Sequence, residues 1–430
     1  MIIKNFLQLA TTSTRKQVLR ILEAGLEAIN TEQLMHEQFA YDAKTDTLFV
    51  NHKAYSLKSY DKVVVVGAGK MVAKVSEGIE AKMIERISGG LIIDIVPAKT
   101  QKIVSRVGTH PLPSSANVSA TDEIIGMLEQ VTERDLVISI IGGGGSSLLT
   151  SPQIVSLEEE RKITQALMDA GASISEMNTV RKHLSSVKGG GLAKYAYPAT
   201  IISLIFSDIP GDDISMVASG PTVQDFTTTQ DAMEIMDRYQ VLDRCNMENC
   251  GLKETPKEAK YFEKVHNILF CSGQTALLGM ERAAHDLGLK VRIWNKAFSG
   301  EAREVAVQIL KDIRPGECLV AVGESVVTIN SPESEKGSGG RNQEMTLAAL
   351  LSLPSNTTFA ALNSDGRDNS DVAGGIVDNG NLKIAQSKGI DLKSFLDRHD
   401  EYSILSDLNA SIMTGNTGSN VSDFIVVIRE

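Results

Sequence analysis

The sequence predicts an α/β protein of two domains, each with a parallel or mixed sheet covered by helices. The chain has 430 residues, which is enough for two or three domains with a large core in each. Apolar strand-like runs alternate with helix-like segments on both sides of a polar stretch at 223–265. These runs are almost continuously apolar, as in strands covered by helices on both faces. We therefore predict a Rossmann-like domain at 1–240, a second α/β domain at 241–430, and a hinge within the polar stretch.

The first half of the chain alternates between helix and strand patterns. A helix is predicted over 13–40, beginning near Ser13. Segment 60–83 has the pattern of a strand, a tight glycine turn and a helix. A helix over 119–131 has Ser119 or Thr121 as its candidate N-cap. The remaining elements are strands at 89–97, 135–141 and 200–211 and a helix at 156–171.

The second half repeats the alternation. Strands are predicted at 268–273, 290–295, 317–324, 358–366 and 419–430, and helices at 274–288 and 301–313. Ligands of such sheets bind beyond the carboxyl ends of the strands. We therefore expect the functional site in the cleft between the two domains.

Composition narrows the classes of partner. The formal net charge is −11, which disfavours nucleic acid as a partner. We find no apolar run of membrane-spanning length and no secretory signal pattern at the N-terminus. The four cysteines match neither a zinc pattern nor a disulfide framework. We expect a cytoplasmic protein without a membrane partner.

The segment "GAGKM" at 67–71 follows the first predicted strand of the sheet. Gly67 and Gly69 allow a sharp turn that exposes N–H groups at a helix start, where an anion is favoured, and Lys70 adds a positive charge. The spacing is not that of a Walker A loop, and Val72 occupies the third glycine position of a dinucleotide fingerprint. The alternative is a tight turn with a solvated lysine.

The segment "IIGGGGSSLLTSP" at 140–152 places four glycines at the end of another strand. Successive bare N–H groups, here from Gly143, Gly144 and Gly145, form an anion-binding nest. Ser146 and Ser147 would add hydroxyl donors. The alternative is a plain connection between a strand and a helix.

A basic segment at 177–199 and an acidic segment at 207–222 complete the first half. In the basic one, Arg181 and Lys188 lie at helical spacing on roughly one face, and the alternative is a solvated helix face. In the acidic one, Asp208, Asp212 and Asp213 follow a strand, where carboxylates hold Mg²⁺ or accept a hydroxyl proton. Turn chemistry is the alternative there.

The second half has its own glycine-rich loops. Arg341 leads a helix after the Lys336–Gly340 loop, and Asn342 and Glu344 follow it. The loops at 363–378 and 414–423 contribute Asp365 and Thr417, and the first of them lacks the terminal glutamate of an EF-hand. Glycine-rich loops with cations and carboxylates in both halves are typical of a phosphoryl-transfer site. His110, in the loop "GTHPLPSSAN", is a further candidate for ligand contact, with a structural role as the alternative.

These motifs together resemble the glycerate kinases that carry a C-terminal MOFRL domain. The resemblance runs from about residue 60 to the C-terminus and rests on "GAGK", "THPLP", "GGGGSSLL", "VRKHLS", "SDIPGDD", "ASGPT", "GGRNQE", "SDGRDNSDVAGGIVD" and "TGNTGSNVSD". It implies ATP-dependent phosphorylation of D-glycerate, usually on the 2-hydroxyl, with Mg²⁺.

The resemblance also implies roles for individual residues. Lys70, Arg341 and Asp208 are the catalytic candidates, and Asp208 and Asp213 are the candidate metal ligands. The candidates for binding substrate or phosphate are Gly67, Gly69, His110, Gly143, Gly144, Gly145, Ser146, Ser147, Arg181, Lys188, Asn342, Glu344, Asp365 and Thr417. The expected ligands are ATP, Mg²⁺ and D-glycerate, and a homodimer is left open.

Three alternative functions are retained. One is a kinase of a related small hydroxy acid, because several loops depart from the family pattern and Arg367 stands where the family tends to have an aliphatic residue. Another is a nicotinamide-dependent hydroxypyruvate reductase, against which stand Val72 and the lack of an acidic residue closely after the second strand, where Asp94 is the nearest candidate. The third is a non-catalytic metabolite sensor.

Overall fold

The computed structural model describes residues 1–329 and 337–430, and its contacts divide the chain into two compact units. The first unit consists of Leu34–Ser207 and Asp213–Phe270, and the second of Met1–Gln33, Asp208–Asp212 and Cys271–Glu430. The domain prediction had placed the first 33 residues with 1–240, whereas their contacts place them with the C-terminal half.

The elements are numbered in chain order. The strands are β1 (Phe39–Asp42), β2 (Thr47–Val50), β3 (Lys53–Ser56), β4 (Lys62–Ala68), β5 (Gly89–Asp94), β6 (Ile103–Val107), β7 (Asp135–Ile141), β8 (Thr200–Phe206), β9 (Val265–Cys271), β10 (Lys290–Phe298), β11 (Glu317–Gly323), β12 (Thr357–Asn363), β13 (Gly374–Asp378), β14 (Ser411–Ile412) and β15 (Asp423–Arg429). The helices are α1 (Phe6–Leu9), α2 (Ser13–Ala28), α3 (Thr31–Gln38), α4 (Val72–Met83), α5 (Ser115–Leu128), α6 (Gly145–Leu148), α7 (Leu157–Asp169), α8 (Ile174–Leu184), α9 (Gly191–Ala196), α10 (Thr229–Arg238), α11 (Val241–Cys245), α12 (Gly273–Asp286), α13 (Ala302–Asp312), α14 (Arg341–Leu351), α15 (Asn379–Ser387), α16 (Leu392–Asp397) and α17 (Glu401–Asp407).

The main sheet of the first unit has the strand order β6-β5-β4-β7-β8-β9. The pairs β6–β5, β5–β4, β4–β7 and β7–β8 are parallel. This is the order of doubly wound sheets, and the direction of winding reverses between β4 and β7. The register pairs Ala68 with Ile141, so the loops that follow β4 and β7 leave the sheet side by side at this switch point.

The sheet of the second unit has the order β10-β11-β15-β12-β13-β14. Only its β10–β11 pair is parallel; the β11–β15, β15–β12, β12–β13 and β13–β14 pairs are antiparallel. The predicted class, α/β with parallel or mixed sheets, is confirmed, and the mixed form applies here. The buried core of the second unit includes Phe298, Leu319, Met345, Phe359 and Ile425.

Several predicted elements differ in extent or partner. The strand predicted at 268–273 to begin the second domain is β9, which lies at the edge of the first sheet beside β8. The helix predicted over 13–40 is two helices and the start of β1, a strand of a small antiparallel sheet (β1-β2-β3) that was not predicted. Helix α5 begins at Ser115, with Ser114 at the N-cap position, so Ser119 and Thr121 lie inside it. The Thr121 hydroxyl donates to the Asn117 carbonyl at 2.8 Å.

The polar stretch at 223–265 has more apolar contacts than its sequence predicted. Helix α10 buries Ala232, Ile235 and Met236 in one cluster with Ile163 and Leu167 of α7. This stretch therefore packs within the first unit through α10, and the predicted hinge stays a prediction. Among the described helices, none combines the length and apolar character that crossing a bilayer would require.

Candidate functional site

The loops after β4 and β7 contact each other through their backbones. Lys70 N–H donates to the Gly143 carbonyl at 2.8 Å, and Gly142 N–H donates to the Ala68 carbonyl at 3.1 Å. A Cβ added to Gly69, whose φ is +140°, would lie 2.6 Å from the Gly142 Cα. Glycine is therefore required at this crossing because any side chain would separate the two loops.

The next two glycines lie against other side chains. Gly144 has φ +75°, and an added Cβ would lie 2.9 Å from His110 Cδ2 and 3.5 Å from Lys70 Cε. At Gly145, an added Cβ would lie 2.6 Å from Ala218 Cβ. Within the described chain, the N–H groups of Gly143 and Gly144 donate to no protein acceptor. The loop thus combines close packing with two amides that are free for a ligand.

Lys70 lies beside these amides. Its side chain is partly exposed, and its ammonium makes no hydrogen bond or ion pair with the described residues. Burial lowers the pKa of His110, and the Lys70 cation lowers it further. Two open amides and an unpaired ammonium form an electropositive corner of the kind that binds anions. Gly67 lies behind this corner in β4, where an added Cβ would lie 2.7 Å from the Ile140 carbonyl oxygen.

The two serines after the glycines are held by partners that the sequence did not reveal. Ser147 Oγ donates to the Pro111 carbonyl at 2.6 Å. Ser146 Oγ lies 3.3 Å from Ser219 Oγ, which donates to Asn178 Oδ1 at 2.6 Å. The buried Asn178 was predicted only as part of the basic segment, and no signal marked its side chain as a partner of the serines.

The basic segment does not form the predicted helical face. Helix α8 ends at Leu184 because Ser185 has an extended backbone, so Lys188 lies outside it. The Lys188 side chain is completely buried, with Nζ 3.4 Å from Glu160 Oε1, and burial lowers the pKa of Lys188. The solvated-face alternative is therefore wrong for Lys188.

Arg181 is the second cation of that segment. Burial lowers its pKa, while Glu160 opposes this shift. No hydrogen bond or ion pair joins its guanidinium to a described residue. A shielded guanidinium without a protein partner is suited to an anionic ligand.

The acidic segment is divided between the two units. Asp208 follows β8 and belongs to the second unit, whereas Asp213 belongs to the first. Asp213 is exposed, and its Oδ1 accepts the Ser215 N–H at 2.9 Å. Their role as a pair of metal ligands stays a prediction.

Arg341 begins α14 and is bound by two carboxylates of its own unit. Its Nε and Nη2 donate to the two oxygens of Asp423 at 2.7 and 3.0 Å, and Nη1 donates to Glu324 at 2.5 Å. Asn342 Nδ2 donates to Asp423 Oδ1 at 2.9 Å and to Asp368 Oδ1 at 3.2 Å, so its amide joins the two carboxylates. Arg341 and Asn342 therefore hold the loop after β12 against the start of β15. The catalytic role of Arg341, and the shared cleft with Lys70, stay predictions.

Glu344 lies in the same helix and faces a different group. Its carboxylate accepts from Arg303 Nε at 2.7 Å and lies 2.9 Å from His399 Nδ1. Burial, together with the negative charge of Glu344, raises the pKa of the neighbouring Glu401 to about 8. Residues Glu344, His399, Glu401 and Arg367 line a cavity of about 230 Å³. No motif contained His399 or Glu401.

The last two predicted residues join neighbouring loops. Thr417 N–H donates to the Asp365 carbonyl at 3.1 Å, and Thr417 Oγ1 donates to the Ser364 carbonyl at 2.6 Å. Of the predicted loop at 336–340, Lys336 lies outside the described residues. The candidate site residues thus lie in two groups. One group surrounds the glycine loops of the first unit, and the other surrounds the start of α14 in the second unit.

Two family models match the chain. Residues 17–249 match a domain of unknown function, DUF4147, and residues 317–423 match the MOFRL family.

Similar proteins cover nearly the whole chain. A D-glycerate 2-kinase of Thermotoga maritima is 33% identical over 85% of this chain and 90% of its own length. A putative hydroxypyruvate reductase of Agrobacterium vitis is 37% identical over 85% of this chain and 87% of its own. The crystal structure of a Thermotoga maritima glycerate kinase superposes with a TM-score of 0.82 at 30% identity, covering 97% of this chain and 100% of the other.

Proposed function

The chain belongs to the glycerate kinase family that carries a MOFRL domain, and from this premise we propose that it phosphorylates D-glycerate. The phosphoryl donor in this proposal is ATP, the product is 2-phosphoglycerate, and Mg²⁺ assists the transfer. The relatives named glycerate 2-kinase support the choice of substrate.

One observation carries the proposal: two open amides and an unpaired lysine at the switch point of a doubly wound sheet. The amides belong to Gly143 and Gly144, and the lysine is Lys70. Phosphoryl transfer depends mainly on positioning and on neutralising negative charge, with little covalent work by the protein. Backbone donors and an ammonium next to each other provide both functions for a phosphate or for the glycerate carboxylate.

The magnesium ion of the proposal would bind to carboxylates. Asp208 and Asp213 are the candidates, because Mg²⁺ prefers oxygen ligands and keeps several waters. When bound, the ion neutralises charge on phosphate oxygens. In our proposal, Lys70 and Arg181 bind and orient the anionic ligands in the first unit.

The environment of Asp94 disfavours the reductase alternative. In dinucleotide-binding domains an acidic residue in this region binds the ribose hydroxyls. Here Asp94 is completely buried, and its Oδ2 accepts the Ala73 N–H in the first turn of α4 at 2.9 Å. Burial also raises the pKa of Asp94. Its carboxylate therefore stabilises the helix start and is inaccessible to a ribose.

A coupled assay of ATP consumption with D-glycerate tests the proposal directly. We expect turnover that requires both substrates, and phosphorus NMR of the product should show a phosphate on carbon 2. A phosphate on carbon 3 would contradict the assigned hydroxyl. Oxidation of a reduced nicotinamide with hydroxypyruvate, without ATP consumption on glycerate, would overturn the kinase proposal.

A further inference from the structure

A cluster of two carboxylates and one imidazole lies in the second unit, outside the glycine loops. It consists of Glu344 in α14, His399 in the turn before α17, and Glu401 at the start of α17. We propose that these three residues bind a divalent transition-metal ion such as Mn²⁺ or Zn²⁺. This site is distinct from the magnesium site of the proposed kinase reaction.

The spacing of the three residues suits a single ion. One ligand atom from each lies within 4.8 Å of the other two, and Glu344 Oε2 is 2.9 Å from His399 Nδ1. Metal–ligand bonds of about 2.1 Å place two neighbouring ligands roughly 3 Å apart. The separation of Glu344 Oε2 and His399 Nδ1 matches neighbouring positions around one ion, and Glu401 supplies the third ligand atom of the group.

An unpaired buried oxygen provides an independent observation. Glu401 is 1% exposed, and its Oε1 has no hydrogen-bond partner within the described chain. A buried carboxylate oxygen without a partner is costly. All three residues line the cavity of about 230 Å³, which has room for an ion and water molecules.

The charges around the cluster are compatible with a cation. Arg303 is a neighbouring cation: its Nε donates to Glu344 Oε1 at 2.7 Å, and its Nη2 lies 3.4 Å from His399 Nδ1. Glu344 Oε2, which lies beside His399 Nδ1, is the oxygen of this carboxylate that an ion would take. Arg303 Nη1 is also 3.7 Å from Asp397, which shares its charge. Two more arginines line the cavity. Arg341 is paired with Asp423 and Glu324, and Arg367 is exposed.

The ligand types select the class of ion. Imidazole together with carboxylates suits Mn²⁺, Zn²⁺ and related ions, whereas Mg²⁺ takes oxygen ligands almost exclusively. Binding would link the first turn of α14, where Arg341 lies, to α17. The ion would thereby stabilise the helix start that holds Asp423 and Asp368.

Titration of the metal-stripped full-length protein with MnCl₂, with free Mn²⁺ measured by electron paramagnetic resonance and no nucleotide present, tests the inference. We expect a site that is at least about tenfold weaker in His399→Ala and in Glu401→Gln. His285→Ala is the matched control because His285 is exposed in the same unit, and it should bind as the wild type does. Circular dichroism of each variant establishes that it is folded, and the nearly isosteric Glu401→Gln keeps the test valid if His399→Ala does not fold.

Two results would overturn the inference. One is equal Mn²⁺ affinity in the wild type and both cluster variants. The other is loss of the ion in Asp208→Asn but not in His399→Ala, which would assign it to the proposed magnesium site. Because the readout is binding without nucleotide, failure of the kinase proposal would leave this result unaffected.

Discussion

Arg341→Lys separates a structural role of this arginine from a catalytic one. The arginine fork makes two hydrogen bonds to Asp423, which is completely buried, and one to Glu324, which is 40% exposed. A lysine ammonium keeps the charge but is a single point donor that lacks the fork geometry. We therefore expect the variant to lose one charge-assisted hydrogen bond to Asp423 and much of the contact with Glu324.

The expected cost follows from these contacts. A hydrogen bond to a charged group contributes about 1.5–3 kcal/mol, whereas a contact with a half-exposed carboxylate contributes about 0–1 kcal/mol. Asn342 Nδ2 still donates to Asp423 Oδ1 at 2.9 Å, which limits the loss. The free energy of unfolding of the second unit should therefore fall by about 1.5–3 kcal/mol.

Urea unfolding followed by tryptophan fluorescence measures this change. The chain has one tryptophan, Trp294 in β10, whose Nε1 donates to Asp312 at 2.7 Å, so its signal reports on the unit that contains Arg341. The matched control is Arg292→Lys. Arg292 is a partly exposed arginine on β10 that pairs with Glu317 of the neighbouring strand β11, and its replacement should cost less than about 1 kcal/mol. An Arg341→Lys protein with wild-type stability and a greatly reduced kcat would refute the structural reasoning and favour direct contact with substrate.

Three further predictions concern the proposed kinase site. Lys70→Ala should lower kcat by about 100-fold or more with little change in stability. The control Lys74→Ala, at an exposed position in the first turn of the helix that follows Lys70, should keep near-normal kcat. A well-folded Lys70→Ala enzyme with normal kcat would remove Lys70 from the mechanism. Activity should require Mg²⁺ or Mn²⁺ and stop in chelator, and turnover in chelator would contradict this metal requirement. Asp208→Asn should reduce kcat more than Asp213→Asn. A larger effect of Asp213→Asn would contradict the assignment of Asp208 as the more important carboxylate. Gly144→Ala should raise KM for ATP or glycerate, because a residue with a Cβ is strained at φ +75° and the Cβ would lie 2.9 Å from the His110 ring. An unchanged KM for both substrates would exclude this loop from substrate binding.

Much of the architecture follows from local sequence patterns. Continuous apolar runs identified the buried strands β4, β7 and β8, because strands covered on both faces need apolar side chains throughout. The glycines after β4 and β7 were predicted to be functional because so many bare backbone positions are costly without a reason. The structure supplies one reason, the contact between the two loops, and leaves two amides open for the proposed ligand.

Contacts between distant segments required the tertiary structure. Nothing near Arg341 indicated that Asp423, 82 residues later, would bind its guanidinium, because a contact between a helix start and a strand depends on how the helix packs against the sheet. In the same way, β9 followed the predicted pattern of a second-domain strand, yet it lies beside β8. A short strand pattern determines that a segment is extended, whereas the partner is determined by the packing of the whole unit.

The sequence by itself determined the fold class, the family, and the loops that carry the candidate chemistry. Only the tertiary structure decided which polar side chains are occupied within the fold and which remain available. Lys188 and Lys70 are the same residue type in two glycine-containing segments, yet one is buried against Glu160 and the other is unpaired at the switch point. The cluster of Glu344, His399 and Glu401 likewise forms because the turn before α17 packs on the start of α14. The physical reason is that burial and pairing depend on the three-dimensional neighbours of a side chain, and these neighbours are distant in sequence.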